Sequence, residues 1–175
     1  MKVISWVINT FKQRSKKYTK VPHKIWRNPL YFIAFGFGSG AIPFAPGTFG
    51  TLIAIPFYLL IRPINIYFYL ALVLIFIMIS SIICDRVSRE MKVHDHPGIN
   101  IDEFVGFFVT MIYAPSSWIW IIIGFILFRV FDILKPWPIR WLDENIKGGF
   151  GIVLDDVIAG IYASLILQLL SWGQT

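Results

Sequence analysis

No carboxylate occurs in the first 84 residues of this 175-residue chain, and only ten occur in all: Asp85, Glu90, Asp95, Asp102, Glu103, Asp132, Asp143, Glu144, Asp155 and Asp156. The single cysteine, Cys84, excludes an intrachain disulfide and a thiolate metal cluster, which leaves oxygen and imidazole as the available ligands. Charged residues amount to 15%, too few for an ordinary soluble surface. The chain also lacks a Walker loop, a G-x-S-x-G elbow, and a G-x-G-x-x-G turn in strand and helix context. Internal repeats and low-complexity tracts are absent as well.

What is present is apolar. Hydrophobic residues make up 57% and aromatics 17%, so the bilayer is expected to be part of the solvent. The length suits one domain, read as a basic arm over residues 1–29 and a single helical membrane domain over 30–175. Eight of the sixteen Lys and Arg fall within residues 1–27, ahead of the first hydrophobic stretch. That placement fits an anionic leaflet better than nucleic acid, and Ile4 to Phe11 is either an interfacial amphipathic helix or part of an unstructured tail. The polar basic run from Lys12 to Lys24 is not the profile of a cleaved signal.

Ile66 to Cys84 runs nineteen residues without a charge, about 28 Å as a helix and enough to cross a hydrocarbon core. Thr51 to Ile61, Phe104 to Tyr113, Trp118 to Phe128 and Phe150 to Trp172 are further apolar segments. Together they predict an all-α integral membrane bundle of four to five short membrane helices. Residues 30–50, with Gly36, Gly38, Gly40, Gly47 and Gly50 among Pro43 and Pro46, read as a loop near the membrane surface. Threading these segments through a bilayer puts fifteen of the sixteen cations on one side and only Arg62 on the other. The positive-inside rule makes that side cytoplasmic, together with the N-terminus and all ten acids.

Three polar clusters meet on that face. The first is His94, Asp95, His96, then Asp102 and Glu103. Imidazoles two apart resemble a zinc half-site only weakly, and a polar turn accounts for them equally well. Asp102 and Glu103 are different, because they abut an apolar run where an unpaired charge is costly. The second cluster holds Arg129, Asp132, Lys135 and Arg140 around Pro136 and Pro138. Arg129 and Asp132 suit a helix-end ion pair, while the cations beside the prolines suit a phosphate or lipid headgroup. The third is Lys147, Gly148, Gly149, Phe150 and Gly151, followed by Asp155 and Asp156. Acids at a helix start complement its dipole, but adjacent carboxylates in an apolar helix also suit a shared divalent ion. Ser88, Arg89 and His94 miss the histidine-type lipid phosphatase pattern by one residue, which argues against a phosphohistidine.

The stretches GSGAIPFAPGTFGTL from Gly38, VHDHPGINIDEFVG from Val93, and FDILKPWPIRWLDENIKGGFGIVLDDVIAG from Phe131 resemble the phosphatidylglycerophosphatase A family of bacterial membrane enzymes. They occur in order across most of residues 38–160. The resemblance implies an all-helical fold and Mg²⁺-dependent hydrolysis of phosphatidylglycerophosphate to phosphatidylglycerol and phosphate, a step of phospholipid biosynthesis at the bacterial inner membrane.

Within that reading Asp102, Glu103, Asp155 and Asp156 are the expected Mg²⁺ ligands, since a hard ion prefers carboxylates and water. Asp132 is a further ligand or the group that orients water. Lys135, Arg140 and Lys147 are expected to clamp phosphate, and His94 or His96 to protonate the leaving alkoxide. The rival expectation is a small proton- or ion-coupled transporter that uses membrane acids as a relay. The clustering of acids at one face, with none inside Ile66 to Cys84, favours surface chemistry.

Overall fold

The structure, a computed structural model, describes residues 21–93 and 96–172. His94, the Ile4 to Phe11 segment and most of the basic arm therefore lie outside the described residues.

Every regular element among the described residues is helical. In chain order they are α1 (Pro29–Ala34), α2 (Pro46–Ile61), α3 (Ile66–Met91), α4 (Ile101–Thr110), α5 (Trp118–Leu134), α6 (Ile139–Asn145) and α7 (Gly148–Trp172). Tight 3₁₀ turns at His23–Trp26 and Gly36–Ala41 flank α1.

Local chemistry sets the boundaries. Asn28 caps α1 by accepting from the Leu30 N–H at 2.9 Å, and Asn65 caps α3 by accepting from the Tyr67 N–H at 2.9 Å. Helix α3 stops at Lys92 and α5 at Lys135, both in the left-handed region with φ of 55° and 41°. Pro136 and Pro138 then keep the chain from continuing α5, and α6 starts immediately after them.

The expectation of a loop through residue 50 needs correction. Helix α2 already starts at Pro46, because proline at the first helical position gives up an N–H that has no partner there anyway. The upstream Gly36–Ala41 segment is a 3₁₀ turn rather than open loop.

Helix α4 is the centre of the molecule, with only Glu103 of its ten residues not buried. It packs against α7, α2 and α3, while α7 also packs on α3, α5 and α6. Among the described residues two helices are long and apolar enough to cross a membrane: α3 with 26 residues and α7 with 25. Only 17% of the apolar stretch of α3 is buried inside the protein, against 56% for α7. Tyr67, Phe68, Leu74, Met78 and Ile82 leave apolar side chains on the outside of α3.

Candidate functional site

The approach of α4 to α7 builds the site. A Cβ on Gly160 would strike the Gly106 carbonyl oxygen, and one on Gly106 would stand 2.8 Å from the Asp156 carbonyl oxygen. Only hydrogen at these two positions permits the backbones to come so close. Gly106 lies one turn beyond Asp102 and Glu103, and Gly160 one turn beyond Asp156. The close crossing therefore draws the carboxylates of the two helices together.

Two carboxylate triads result. One oxygen from each of Asp102, Glu103 and Asp156 falls within 4.8 Å of the others, and the same holds for Asp132, Asp155 and Asp156. Asp156 belongs to both and is 3% exposed. The two cations among these acids are Arg129 and Lys135. Arg129 reaches Asp132 with Nη1–Oδ2 of 2.9 Å, Glu103 with Nη1–Oε1 of 3.8 Å, and donates to Thr51 Oγ1 at 3.5 Å. Lys135 Nζ pairs with Asp155 Oδ2 and with Asp143 Oδ2, the latter at 3.1 Å. Burial alone would pull the Lys135 pKa down, but Asp155, Asp132 and Asp143 outweigh it and hold the value above the ordinary lysine range. The surrounding carboxylates favour the ammonium form of Lys135.

Five buried or nearly buried carboxylates thus face two cations. Glu103 Oε2 and Asp155 Oδ1 are buried without a hydrogen-bond partner among the described residues. Orphaned carboxylate oxygens in a low-dielectric interior are costly, and an oxygen-seeking divalent cation is the chemistry that would satisfy them. The donor set, all oxygen and predominantly charged, fits Mg²⁺.

The segment before α4 is fastened to the site's other wall. The Asn100 Nδ2 donates to Ser39 Oγ at 2.8 Å and to the Pro46 carbonyl at 3.0 Å, while its backbone N–H donates to Ala34 O at 3.0 Å. Gly47, next along, lies against Glu103 and Arg129, where any side chain would collide with both.

Of the residues expected from sequence, Asp102, Glu103, Asp132, Lys135, Asp155 and Asp156 come together. Others are placed elsewhere. His96 is buried beside the Phe35 ring, with centroids 5.5 Å apart, and its Nδ1 accepts from the Gly98 N–H at 3.0 Å. Arg140 pairs with Glu144 at 3.0 Å on an exposed surface, and Lys147 is exposed. The Arg129–Asp132 ion pair expected from their spacing is present, and Asp143, Asn100 and Thr51 join the network without having been assigned a role from sequence.

A family model described as phosphatidylglycerophosphatase A matches residues 32–171. The chain belongs to the phosphatidylglycerophosphatase A family. A relative named phosphatidylglycerophosphatase A from Escherichia coli (strain K12) is 43% identical over 144 residues, covering 82% of this chain and 84% of the relative. One of the same name from Haemophilus influenzae is 44% identical over 142 residues, covering 80% and 87%. A third relative, from Bacteroides thetaiotaomicron, is provisionally named a phosphatidylinositol-3-phosphatase and is 35% identical over 147 residues, covering 80% and 92%. No solved structure matches the chain. The matched span contains every described residue of the two carboxylate triads.

Proposed function

We propose that this protein hydrolyses phosphatidylglycerophosphate to phosphatidylglycerol and phosphate, in phospholipid biosynthesis, with Mg²⁺ held by Asp102, Glu103, Asp155 and Asp156. The observation that carries the reading is Asp156 standing at the junction of two buried carboxylate triads, in a chain of this family. Mg²⁺ bound there would offset the negative charge of the phosphoryl oxygens.

The protein's own residues supply the rest. Water adds to phosphorus as the phosphorus–oxygen bond to the glycerol breaks, and the departing alkoxide ends with a proton. Asp132 orients that water or serves as a further ligand, its own position fixed by Arg129. Lys135 presents an ammonium, whose attraction for the equatorial oxygens strengthens as their charge grows. Arg140 and Lys147, exposed beside this face, meet the anionic headgroup as it arrives. No step is assigned to His96, whose ring is held in packing against Phe35.

The outward apolar surface of α3 and the apolar length of α7 support an integral protein of the bacterial inner membrane that crosses the bilayer several times. The distribution of Lys and Arg supports a cytoplasmic N-terminus and active site. The transporter alternative has no comparable support, since the described buried acids gather in one cluster instead of forming a relay along a helix.

The test is phosphate release by purified, lipid-reconstituted protein from phosphatidylglycerophosphate after chelation of metal. Release restored by Mg²⁺ is expected. Failure to release phosphate with any divalent ion would refute the activity, and undiminished release in chelator would refute the metal role.

A further inference from the structure

The two carboxylate triads have a single member in common. Asp102 and Glu103 lie in the first turn of α4, Asp132 lies in the last turn of α5, and Asp155 and Asp156 are adjacent on α7. Only Asp156 contributes an oxygen to both sets. Neighbouring residues on a helix point about 100° apart, and Asp155 accordingly turns toward Lys135 while Asp156 also reaches the acids of α4. A Mg²⁺ shell holds its oxygens at about 2.1 Å, so that opposite ligands stand roughly 4.2 Å apart. Either triad, with its oxygens within 4.8 Å of one another, matches part of such a shell and leaves positions for water and phosphate.

Each triad also carries its own unsatisfied atom. Arg129 Nη1 lies 3.8 Å from Glu103 Oε1, and Lys135 Nζ pairs with Asp155 Oδ2, so in both carboxylates one oxygen is already taken by a cation of the protein. The other oxygen, Glu103 Oε2 in the first triad and Asp155 Oδ1 in the second, is buried without a hydrogen-bond partner among the described residues. Asp155 as a whole is 6% exposed. An ion held by Asp102, Glu103 and Asp156 relieves the first of these oxygens. The second still carries its desolvation cost until a cation of its own arrives. The charge balance points the same way. Ligand carboxylates are ionised, so the five acids of the triads set five negative charges against the positive charges of Arg129 and Lys135. One divalent ion leaves the cluster negative and repels phosphate, whereas two leave it positive and attract it. Asp143 stands outside this balance, being 40% exposed and solvated.

We propose that the site holds two divalent cations, one within Asp102, Glu103 and Asp156 and a second within Asp132, Asp155 and Asp156, with Asp156 bridging them. This second position rests on the Mg²⁺ role proposed above and makes Asp132 a ligand. Paired divalent ions suit a phosphatase, since together they stabilise the attacking and the leaving oxygen of a displacement at phosphorus.

The test titrates metal-stripped, full-length protein in detergent with Mn²⁺, an oxygen-seeking substitute for Mg²⁺ whose bound and free forms are counted by electron paramagnetic resonance. Two equivalents should bind, and excess Mg²⁺ should displace both. Because a shared carboxylate brings the ions close, their spectrum should be spin-coupled rather than that of isolated ions. Asp132→Asn and Glu103→Gln should each bind a single uncoupled ion, whereas Glu144→Gln, which alters an exposed acid paired with Arg140, should bind a coupled pair as the parent does. One equivalent in the parent, two that are not coupled, or a coupled pair retained in Asp132→Asn would overturn the second ion and leave a metal-dependent phosphatase standing. No bound Mn²⁺ in the parent would overturn both. The parent's count and spectrum decide the matter even where a variant does not fold.

Discussion

Gly106 on α4 and Gly160 on α7 meet backbone to backbone, with the Gly106 carbonyl oxygen occupying the position a Gly160 side chain would take. Each stands one turn from a carboxylate of the site, so the spacing of the helices and the spacing of the acids are one structural quantity. Gly160→Ala should push α7 away from α4. Overpacking of this kind costs about 1–3 kcal/mol, and the displaced Asp156 should reduce phosphate release more than the stability loss alone explains. Thermal unfolding in detergent, run beside turnover at a temperature where both proteins are folded, checks this. Parent-like turnover would show that the crossing does not set the site.

Lys135 joins Asp155 on α7 to Asp143 on α6. Lys135→Gln strands Asp155, whereas Asp143, 40% exposed, stays solvated, and breaking a buried pair from one side costs about 3–5 kcal/mol. Added Mg²⁺ should recover part of this, because a ligand that binds only the folded state stabilises it by ~2.7 kcal/mol at a hundredfold excess over its Kd. Melting temperatures with chelator and with saturating Mg²⁺ provide the readout. An unchanged melting temperature in Lys135→Gln would mean that the pair contributes nothing.

Arg129 serves Asp132, Glu103 and Thr51 from one planar guanidinium. All three contacts come from Nη1, and a lysine keeps the charge but, as a compact ammonium on a flexible stem, does not hold its nitrogen in the fixed plane of the guanidinium. Arg129→Lys is expected to lower turnover by roughly tenfold or more, the scale of one lost charged hydrogen bond. Equal activity in Arg129→Lys and the parent would reduce this residue's role to charge alone.

The sequence made the apolar helices legible because their apolar runs are bounded by recognisable breaks, as at Arg62 to Asn65 and Pro136 to Pro138. The start of α2 was not legible. Pro46 and Gly47 carry the composition of a loop, yet proline suits a helix start and the glycine is required by contact with Glu103 and Arg129, distant in sequence. The site divides in the same way. Asp102, Glu103, Asp155 and Asp156 stand out locally as acids within apolar sequence. The parts of Asn100 and Asp143 depend on how α1, α2 and α6 fold back onto the core, and no local spacing encodes that.

The most direct measurement is phosphate release from phosphatidylglycerophosphate by Asp156→Asn and Glu144→Gln, side by side across a Mg²⁺ titration. Asp156 is shared by both triads, whereas Glu144 pairs with Arg140 on the exterior. Asparagine keeps the size of aspartate but removes the negative ligand, so Asp156→Asn should lose nearly all turnover and recover little at high Mg²⁺. Glu144→Gln should match the parent at every concentration. Near-normal turnover by a stably folded Asp156→Asn protein would contradict the shared-ligand account.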